Sequence, residues 1–256
     1  MTGIVIVDKP AGWTSQDVTA RLRRVFGTRR IGHGGTLDPM ATGVLPVFVG
    51  RATRGVEFFE HADKTYEAVL RLGTVTDTQD STGTVLEKRP VTVTEAEFRD
   101  ILPKFTGEIA QIPPMYSAIK VDGKKLYELA RAGKEIERKP REITIFSLDL
   151  LEFTGETAKI RVHCSKGTYI RTLCHDIGAA LGCGGCMEAL RRTAAGEYTL
   201  ADSVELDTLL NIDGRGRSQP ESVIAKSARL SVLDSLKRPL PPRNAEKKPK
   251  QHEEVR

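Results

Sequence analysis

The chain has 256 residues, of which 39% are hydrophobic and 29% are charged, and its formal net charge is +5. This composition is typical of a soluble globular protein with one large or two smaller domains. It excludes a membrane-spanning class, because no apolar run has the length of a span, and four cysteines are too few for a disulfide framework. The N-terminal segment has no features of a secretory signal, so we expect a cytoplasmic protein.

The first part of the chain predicts a strand followed by a helix. The apolar run Gly3–Val7 is typical of a short buried strand, and a turn that contains Lys9 and a proline follows it. Thr14 or Ser15 can cap a helix, because the apolar residues after them recur at helical spacing as far as Phe26.

A glycine-rich loop at residues 32–46 has the sequence GHGGTLDPMATGVLP and carries one histidine, His33, and one carboxylate, Asp38. Glycine permits tight turns, and the proline after Asp38 favours an extended or turn conformation at that residue. The apolar run Val44–Val49 predicts a buried strand. Two interpretations remain open here: the loop is a simple surface turn, or it presents the carboxylate for a function.

The next elements are a strand and a capped helix. Residues 65–72 alternate between apolar and polar side chains, which predicts a strand with Tyr66 on its apolar face. A polar loop and a short strand follow. Thr94 and Glu97 have the spacing of a capping box, which predicts a helix that continues to Leu102.

The chain changes character at residues 111–141, where prolines and basic residues predict an irregular excursion from the core domain. Within this excursion, Lys124–Ala132 predicts a short basic helix. Alternating patterns then predict strands at Ile143–Phe153 and Ala158–Ser165.

Helical patterns dominate the last part of the chain. Thr168 opens a helix that ends near Gly182, Glu188–Arg192 predicts a further short turn of helix, and helix-like pieces continue beyond Ser203. The order of elements combines long alternating strands with single helices rather than repeating βαβ units. This order favours an α+β fold with a mixed, mostly antiparallel sheet.

Cofactor and metal motifs are weak or absent in the sequence. Cys183 and Cys186 have CxxC spacing, but zinc needs about four converging ligands and no second pair is spaced in the same way. Buried or incidental cysteines are the favoured interpretation, and we predict no metal ligand. The sequence also lacks a phosphate-binding P-loop, a dinucleotide fingerprint and a His-Glu-x-x-His motif, so it gives no support to functions that depend on them.

Local chemistry alone does not decide the function. Clusters of lysine and arginine recur along the chain, and they indicate either polyanion binding or solvated helix faces. Asp38, Tyr66 and Arg171 are polar groups at predicted turns or element ends. Taken singly, Tyr66 could be a core aromatic and Arg171 a surface residue of a helix.

Taken together, the motifs resemble one known family. The 32–46 loop resembles the catalytic loop of the TruB family of tRNA pseudouridine-55 synthases. Six further segments recur in the family's order, namely DKP at 8–10, KTYE at 64–67, TDTQD at 76–80, IPPMYSA at 112–118, SKGTYIR at 165–171 and LRR at 190–192. The resemblance implies the pseudouridine synthase fold, in which helices flank a mixed, mostly antiparallel curved sheet that carries an RNA-binding insertion.

The activity implied by this resemblance is the isomerisation of uridine to pseudouridine at position 55 in the T loop of tRNA. Asp38 falls on the family's nucleophile. Tyr66 falls on the residue that stacks on the flipped-out base and is a candidate for proton abstraction, and Arg171 falls on the partner of the aspartate. An isomerisation without redox change needs no cofactor. Attack at C1′, attack on the base and elimination all remain open as chemical routes.

The resemblance also implies contacts to the RNA. The predicted substrate- and RNA-binding residues are His33, Tyr169, Leu190, Lys9, Lys166, Lys124, Lys125 and Arg131. In the family, the residue matched by His33 fills the space left by flipped nucleotides, and those matched by Tyr169 and Leu190 line the base pocket. The turn that begins at Lys9 supports the catalytic loop.

We therefore predict a catalytic domain over residues 1–204, with an RNA-gripping insertion at 111–141. A short helical extension over 205–238 and a disordered polar tail over 239–256 follow. Many family members carry a C-terminal RNA-binding PUA domain, and we expect that a complete one does not fit in the residues after Val204.

The predicted partner is the T stem-loop of tRNA, with no membrane association and no obligate protein partner. Two alternatives remain open. One is a pseudouridine synthase that acts on another RNA, and the other is a non-catalytic protein that binds or folds tRNA.

Overall fold

Residues 1–121 and 123–211 are described by the computed structural model. The α-helices in these ranges are α1 (Ser15–Val25), α2 (Val56–Phe59), α3 (Glu95–Ile101), α4 (Leu126–Arg131), α5 (Ile170–Ala180) and α6 (Leu206–Leu210). The strands there are β1 (Gly3–Lys9), β2 (Ile31–His33), β3 (Thr42–Val49), β4 (Lys64–Leu72), β5 (Thr74–Thr76), β6 (Val85–Lys88), β7 (Gly107–Gln111), β8 (Lys120–Val121), β9 (Lys124–Lys125), β10 (Arg141–Phe153), β11 (Thr157–Cys164), β12 (Gly185–Ala195), β13 (Tyr198–Thr199) and β14 (Val204–Glu205). The predicted tail at 239–256 and most of the predicted extension at 205–238 lie outside the described residues.

One sheet of ten strands organises this part of the molecule. Its order is β14-β1-β3-β12-β4-β11-β10-β7, and β2 and β13 pair with β3 and β12 at its side. Most neighbours are antiparallel, while the β1–β14 and β3–β12 pairs are parallel. The prediction of an α+β fold with a mixed, mostly antiparallel sheet is confirmed. No helix of the described ranges is long and apolar enough to cross a membrane.

The local patterns explain why the central elements form. Burial alternates residue by residue along β4, and its buried side chains pack with apolar residues of α5 in the main core. Thr14 and Thr94 are the N-caps of helices α1 and α3, and each threonine forms a capping box with the acidic residue three positions on. These predicted caps are confirmed.

The predicted turn of helix at Glu188–Arg192 is wrong, because these residues lie in strand β12 at the centre of the sheet. Two register shifts, between Met187 and Ala189 and between Arg192 and Ala194, interrupt the strand. Such β-bulges break the two-residue alternation that identifies a strand in a sequence. This difference is important for the site, because strand β12 places Leu190 and Arg192 beside β4.

The insertion leaves the sheet and returns to it at a single point, since Gln111 of β7 and Arg141 of β10 are paired in register. Its helix is shorter than predicted. Lys124 and Lys125 form strand β9, which pairs with β8, and α4 begins only at Leu126. The helix prediction failed at this end because a two-residue strand leaves no periodic signal.

Candidate active site

A cleft of about 1060 Å³ opens between the glycine-rich loop, the insertion and the N-terminal end of α5. It is lined by eight of the predicted site residues, His33, Asp38, Tyr66, Arg131, Lys166, Tyr169, Arg171 and Leu190. The structure therefore brings together side chains from distant parts of the sequence.

Asp38 lies on a loop between two paired strands. Because β2 and β3 are antiparallel neighbours, with Ile31 opposite Val49, the residues between them project from the sheet. A turn closes after Asp38, where the backbone N–H of Ala41 donates to the Asp38 carbonyl at 3.0 Å. The Asp38 side chain remains 35% exposed, so the loop presents its carboxylate to the cleft.

Arg171, in the first turn of α5, anchors this carboxylate. Its Nε lies 3.0 Å from Asp38 Oδ2, and its side chain is only 8% exposed. The other guanidinium nitrogens donate to the carbonyls of Thr78 at 3.2 Å and Tyr116 at 2.9 Å, and Nη1 lies 3.8 Å from Asp80 Oδ2. One planar group thus links the catalytic loop, the polar loop after β5 and the insertion.

Tyr66 and Leu190 form the apolar side of the cleft. Tyr66 is on β4 and Leu190 is on β12, and both are more than nine-tenths buried. Burial raises the pKa of the Tyr66 hydroxyl, and the nearby Arg192 guanidinium opposes that shift. The phenol is therefore neutral at physiological pH and offers both a ring face and an O–H group.

His33 ends strand β2 at the rim of the cleft. Burial lowers the pKa of its imidazole, and the positive charge of Arg192 acts in the same direction. The imidazole is thus uncharged near neutral pH. Its Nε2 lies 3.4 Å from Nε2 of Gln16. Lys166, in contrast, is exposed, and its Nζ lies 2.8 Å from Nδ1 of His61.

Lys9 was predicted to contact RNA, but it lies inside the protein. It is fully buried, and its Nζ donates to the carbonyls of Pro10 at 2.9 Å, Trp13 at 2.6 Å and Pro39 at 3.3 Å. Burial lowers the pKa of Lys9 to about 8. Its inclusion among the RNA-binding residues is corrected: the ammonium ties the turn after β1 to the loop that carries Asp38.

The basic residues of the insertion lie next to the cleft. Arg131 Cζ and Lys125 Nζ each lie 5.3 Å from the centre of the Tyr127 ring, and Lys125 also donates to the Tyr127 hydroxyl at 3.2 Å. Lys124 is exposed on β9, and neither it nor Lys125 lines the cleft itself.

Sequence reasoning did not single out two buried charged groups of the site. Asp80 lies within the TDTQD motif, and its Oδ1 accepts hydrogen bonds from the Thr78 hydroxyl at 2.8 Å and the Thr82 N–H at 2.9 Å. Closely spaced Asp and Thr residues are a known turn signal, which could have indicated this role. Arg192 lies in the LRR motif at 190–192, but its strand was predicted as a helix, so the motif did not indicate a buried position in the site.

The cysteine motif does not form a metal site in the part of the chain that the structure describes. All four cysteines are buried and free, and no group of three or more His, Cys, Asp or Glu residues there is arranged to hold a metal ion.

Two family models match successive parts of this chain. Residues 23–170 match the N-terminal domain of the TruB family of pseudouridylate synthases, and residues 171–240 match the C-terminal domain of tRNA pseudouridylate synthase B. The tRNA pseudouridine synthase B of Azoarcus sp. (strain BH72) is 54% identical over 207 residues, which are 81% of this chain and 69% of that protein. The protein of the same name from Pseudomonas fluorescens (strain Pf0-1) is 50% identical over 219 residues, or 86% of this chain and 72% of that protein.

Two solved structures share the fold. One is a Cbf5-Nop10-Gar1 complex, with a TM-score of 0.68 and 32% identity over 88% of this chain and 59% of that chain. The other is an H/ACA ribonucleoprotein bound to a substrate RNA containing 2′-deoxyuridine, with a TM-score of 0.62 and 31% identity over 82% of this chain and 52% of that chain. This chain thus spans less than two thirds of either solved chain. The N-terminal family match covers more than half of the sequence, and the two relatives are 50% and 54% identical over 72% and 69% of their own lengths. The chain therefore belongs to the TruB family of pseudouridylate synthases.

Proposed function

We propose that this chain isomerises uridine to pseudouridine at position 55 in the T loop of tRNA, in the cytoplasm and without a cofactor. The observation that carries this proposal is the Asp38–Arg171 ion pair, which holds a partly exposed carboxylate in a cleft beside Tyr66. The names and family of the relatives support the choice of tRNA as the substrate.

The proposed chemistry begins with the carboxylate of Asp38. Arg171 holds Oδ2, so Oδ1 attacks C1′ of the target nucleotide. A C1′–O bond forms while the N1–C1′ bond breaks, and its electron pair leaves with the uracil. After the uracil rotates, C5 attacks C1′ and displaces the carboxylate. The C5 proton is then lost and N1 gains a proton, so the overall reaction is balanced without any other reactant.

A uridine within an RNA stack must first leave that stack to reach Asp38. Unstacking costs a few kcal/mol, which an aromatic platform offsets. Tyr66 supplies the aromatic ring of the cleft, and Leu190 on the adjacent strand supplies a second apolar contact. The uncharged His33 at the rim fills the space that the flipped nucleotide leaves, a role that needs bulk rather than charge.

Removal of the Tyr66 hydroxyl tests its part in proton transfer. We expect Tyr66→Phe to keep the stacking face and to bind tRNA within about twofold of the wild-type affinity. Loss of a positioned proton-transfer group typically lowers the rate by roughly 10²–10⁴-fold. The measurement is the single-turnover rate of pseudouridine formation at saturating enzyme.

Tyr198→Phe is the matched control, because Tyr198 is also buried but packs against Phe59 and does not line the cleft. It should leave the rate unchanged. A Tyr66→Phe rate equal to that of the wild type would remove the proton-transfer role.

The exposed cations of the insertion should contact phosphates. We expect the combined replacement of Lys124, Lys125 and Arg131 by glutamine to weaken tRNA binding and to flatten its dependence on salt. Each lost phosphate contact removes about one unit from the slope of log affinity against log salt. The measurement is the dissociation constant at four or more salt concentrations.

Glutamine at Lys88, Arg99 and Lys104 is the matched control, because these cations lie on other elements and do not line the cleft. If the insertion variant and this control have the same salt slope as the wild type, the insertion lysines and Arg131 are solvent-exposed surface residues that do not contact phosphates.

The decisive experiment for the proposed function is to map pseudouridine at nucleotide resolution in unmodified tRNA incubated with the protein. We expect one modified nucleotide, at position 55, and no product from a tRNA with cytidine there. A product at another position, or only in another RNA, would favour a different substrate. Binding without any product would favour the non-catalytic alternative.

A further inference from the structure

Arg192 has no role in the chemistry described so far, although it lines the cleft and is only 1% exposed. It lies in the middle of β12, between the two strands that carry the site. In the sheet register, Arg192 is opposite Tyr66 on one side and Gly43 on the other. Its backbone is therefore fixed relative to both the aromatic platform and the end of the catalytic loop.

The guanidinium of Arg192 holds both ends of that loop. Its Nε donates to the Val44 carbonyl at 2.7 Å, and its Nη2 donates to the Gly35 carbonyl at 3.1 Å. Asp38 lies between these two residues in the sequence. The loop also approaches Arg192 closely at two glycines with positive φ values. A Cβ atom at Gly43 would lie 2.2 Å from the Arg192 backbone carbonyl oxygen, and one at Gly35 would lie 3.4 Å from Arg192 Nη1.

The charge of Arg192 needs an explanation beyond packing. Within residues 1–121 and 123–211, none of the ion pairs joins an acidic side chain to it. A buried charge without an ionic partner is costly, and an apolar residue would fill a central strand at less cost. Arg192 lies opposite Tyr66 in the sheet. Burial lowers the pKa values of His33 and Lys64, and the positive charge of Arg192 acts in the same direction.

We infer that Arg192 is a positioning residue for the isomerisation, which clamps the two ends of the catalytic loop beside Tyr66. It thereby sets the separation between the Asp38 carboxylate and the Tyr66 hydroxyl. This inference rests on the proposed function. Because one planar group makes both hydrogen bonds, a lysine at this position keeps the charge and loses the geometry.

The test replaces Arg192 with lysine and measures tRNA affinity and the single-turnover rate separately. We expect Arg192→Lys to lower the rate by about 10²-fold, because small misplacements of reacting groups have effects of that size. The dissociation constant for tRNA should stay within about threefold of the wild-type value, since the Arg192 side chain is only 1% exposed.

Arg191→Lys is the matched control, because it changes the same residue type on the same strand. The Arg191 side chain is 41% exposed and forms an ion pair with Asp8 at 2.7 Å. We expect its rate to equal that of the wild type. A normal rate for Arg192→Lys as well would overturn the inference.

A double-mutant cycle with Tyr66→Phe separates positioning from mere structural support. If Arg192 sets the position of Asp38 relative to the Tyr66 hydroxyl, the fold decrease in rate caused by Arg192→Lys should be at least tenfold smaller in the Tyr66→Phe background than in the wild type. An equal cost in both backgrounds would show that the two residues act independently and would overturn the inference.

Circular dichroism and thermal unfolding establish whether the variants fold, and Arg192→Gln provides a second variant. If both variants are unfolded, Arg192 serves stability alone and the inference is wrong. If the wild type forms no pseudouridine in tRNA, the proposed function itself fails. An active wild type with an equally active, folded Arg192→Lys variant would reject only the role of Arg192.

Discussion

Asp38→Asn is expected to abolish pseudouridine formation, with a fall in the single-turnover rate of about 10⁵-fold, as for the removal of other catalytic nucleophiles. An amide has the size of the carboxylate but is not a nucleophile. The loop should keep its shape, because Lys9 still bonds to the Pro39 carbonyl and Arg192 still holds the two ends of the loop. The variant therefore removes chemistry with little change in structure.

The affinity for tRNA should not fall in this variant. Asp38 is an anionic group in a cleft that receives a polyanion, so its neutralisation removes a repulsion. We expect a dissociation constant equal to the wild-type value or lower. Asp63→Asn is the matched control, since Asp63 is exposed and does not line the cleft. Appreciable turnover by Asp38→Asn would reject the nucleophile assignment.

The parts of this fold that follow from local chemistry were predictable. The alternation in β4 and the caps at Thr14 and Thr94 depend on residues within a few positions of one another, so the sequence alone determines them. The contact between Asp38 and Arg171 is different. Nothing local relates the two residues, and only the resemblance to a known family predicted their pairing.

The buried cations could not be predicted for a physical reason. A lysine or arginine in a sequence normally indicates an exposed position. Lys9 and Arg192 are buried because backbone carbonyls from distant segments accept their hydrogen bonds, including those of Pro39 and Val44. Such carbonyls exist at every position of the chain, so no side-chain pattern marks the ones that converge. The bulges in β12 also removed the alternating pattern that would have predicted a strand at Arg192.

Removal of the arginine that anchors Asp38 should lower both the stability and the rate of reaction strongly. Arg171→Met takes away the ion pair with Asp38 and the hydrogen bonds to the carbonyls of Thr78 and Tyr116. Loss of one member of a buried pair costs about 3–5 kcal/mol, and we expect the lower end of that range because Asp38 is one-third exposed. We expect the rate to fall by about 10³-fold, because Asp38 loses both its orientation and its counter-charge.

Urea unfolding and single-turnover kinetics measure the two effects separately. Arg161→Met is the matched control, because the Arg161 side chain is 49% exposed and pairs with Glu67 on the outer face of the sheet. A surface pair of this kind contributes about 1 kcal/mol or less, so this variant should be nearly as stable as the wild type and fully active. Equal stability losses in the two variants would contradict a special role for Arg171.

Arg171→Lys decides whether charge or geometry matters more in this pair. Lysine restores a positive charge close to Asp38, so part of the lost stability should return. Its single ammonium cannot reach Asp38 and the carbonyls of Thr78 and Tyr116 together, because these acceptors are arranged around a planar fork. We therefore expect the rate to remain about 10²-fold below that of the wild type. A fully active lysine variant would show that the insertion and the catalytic loop need no common anchor, and that Arg171 acts only as a counter-charge.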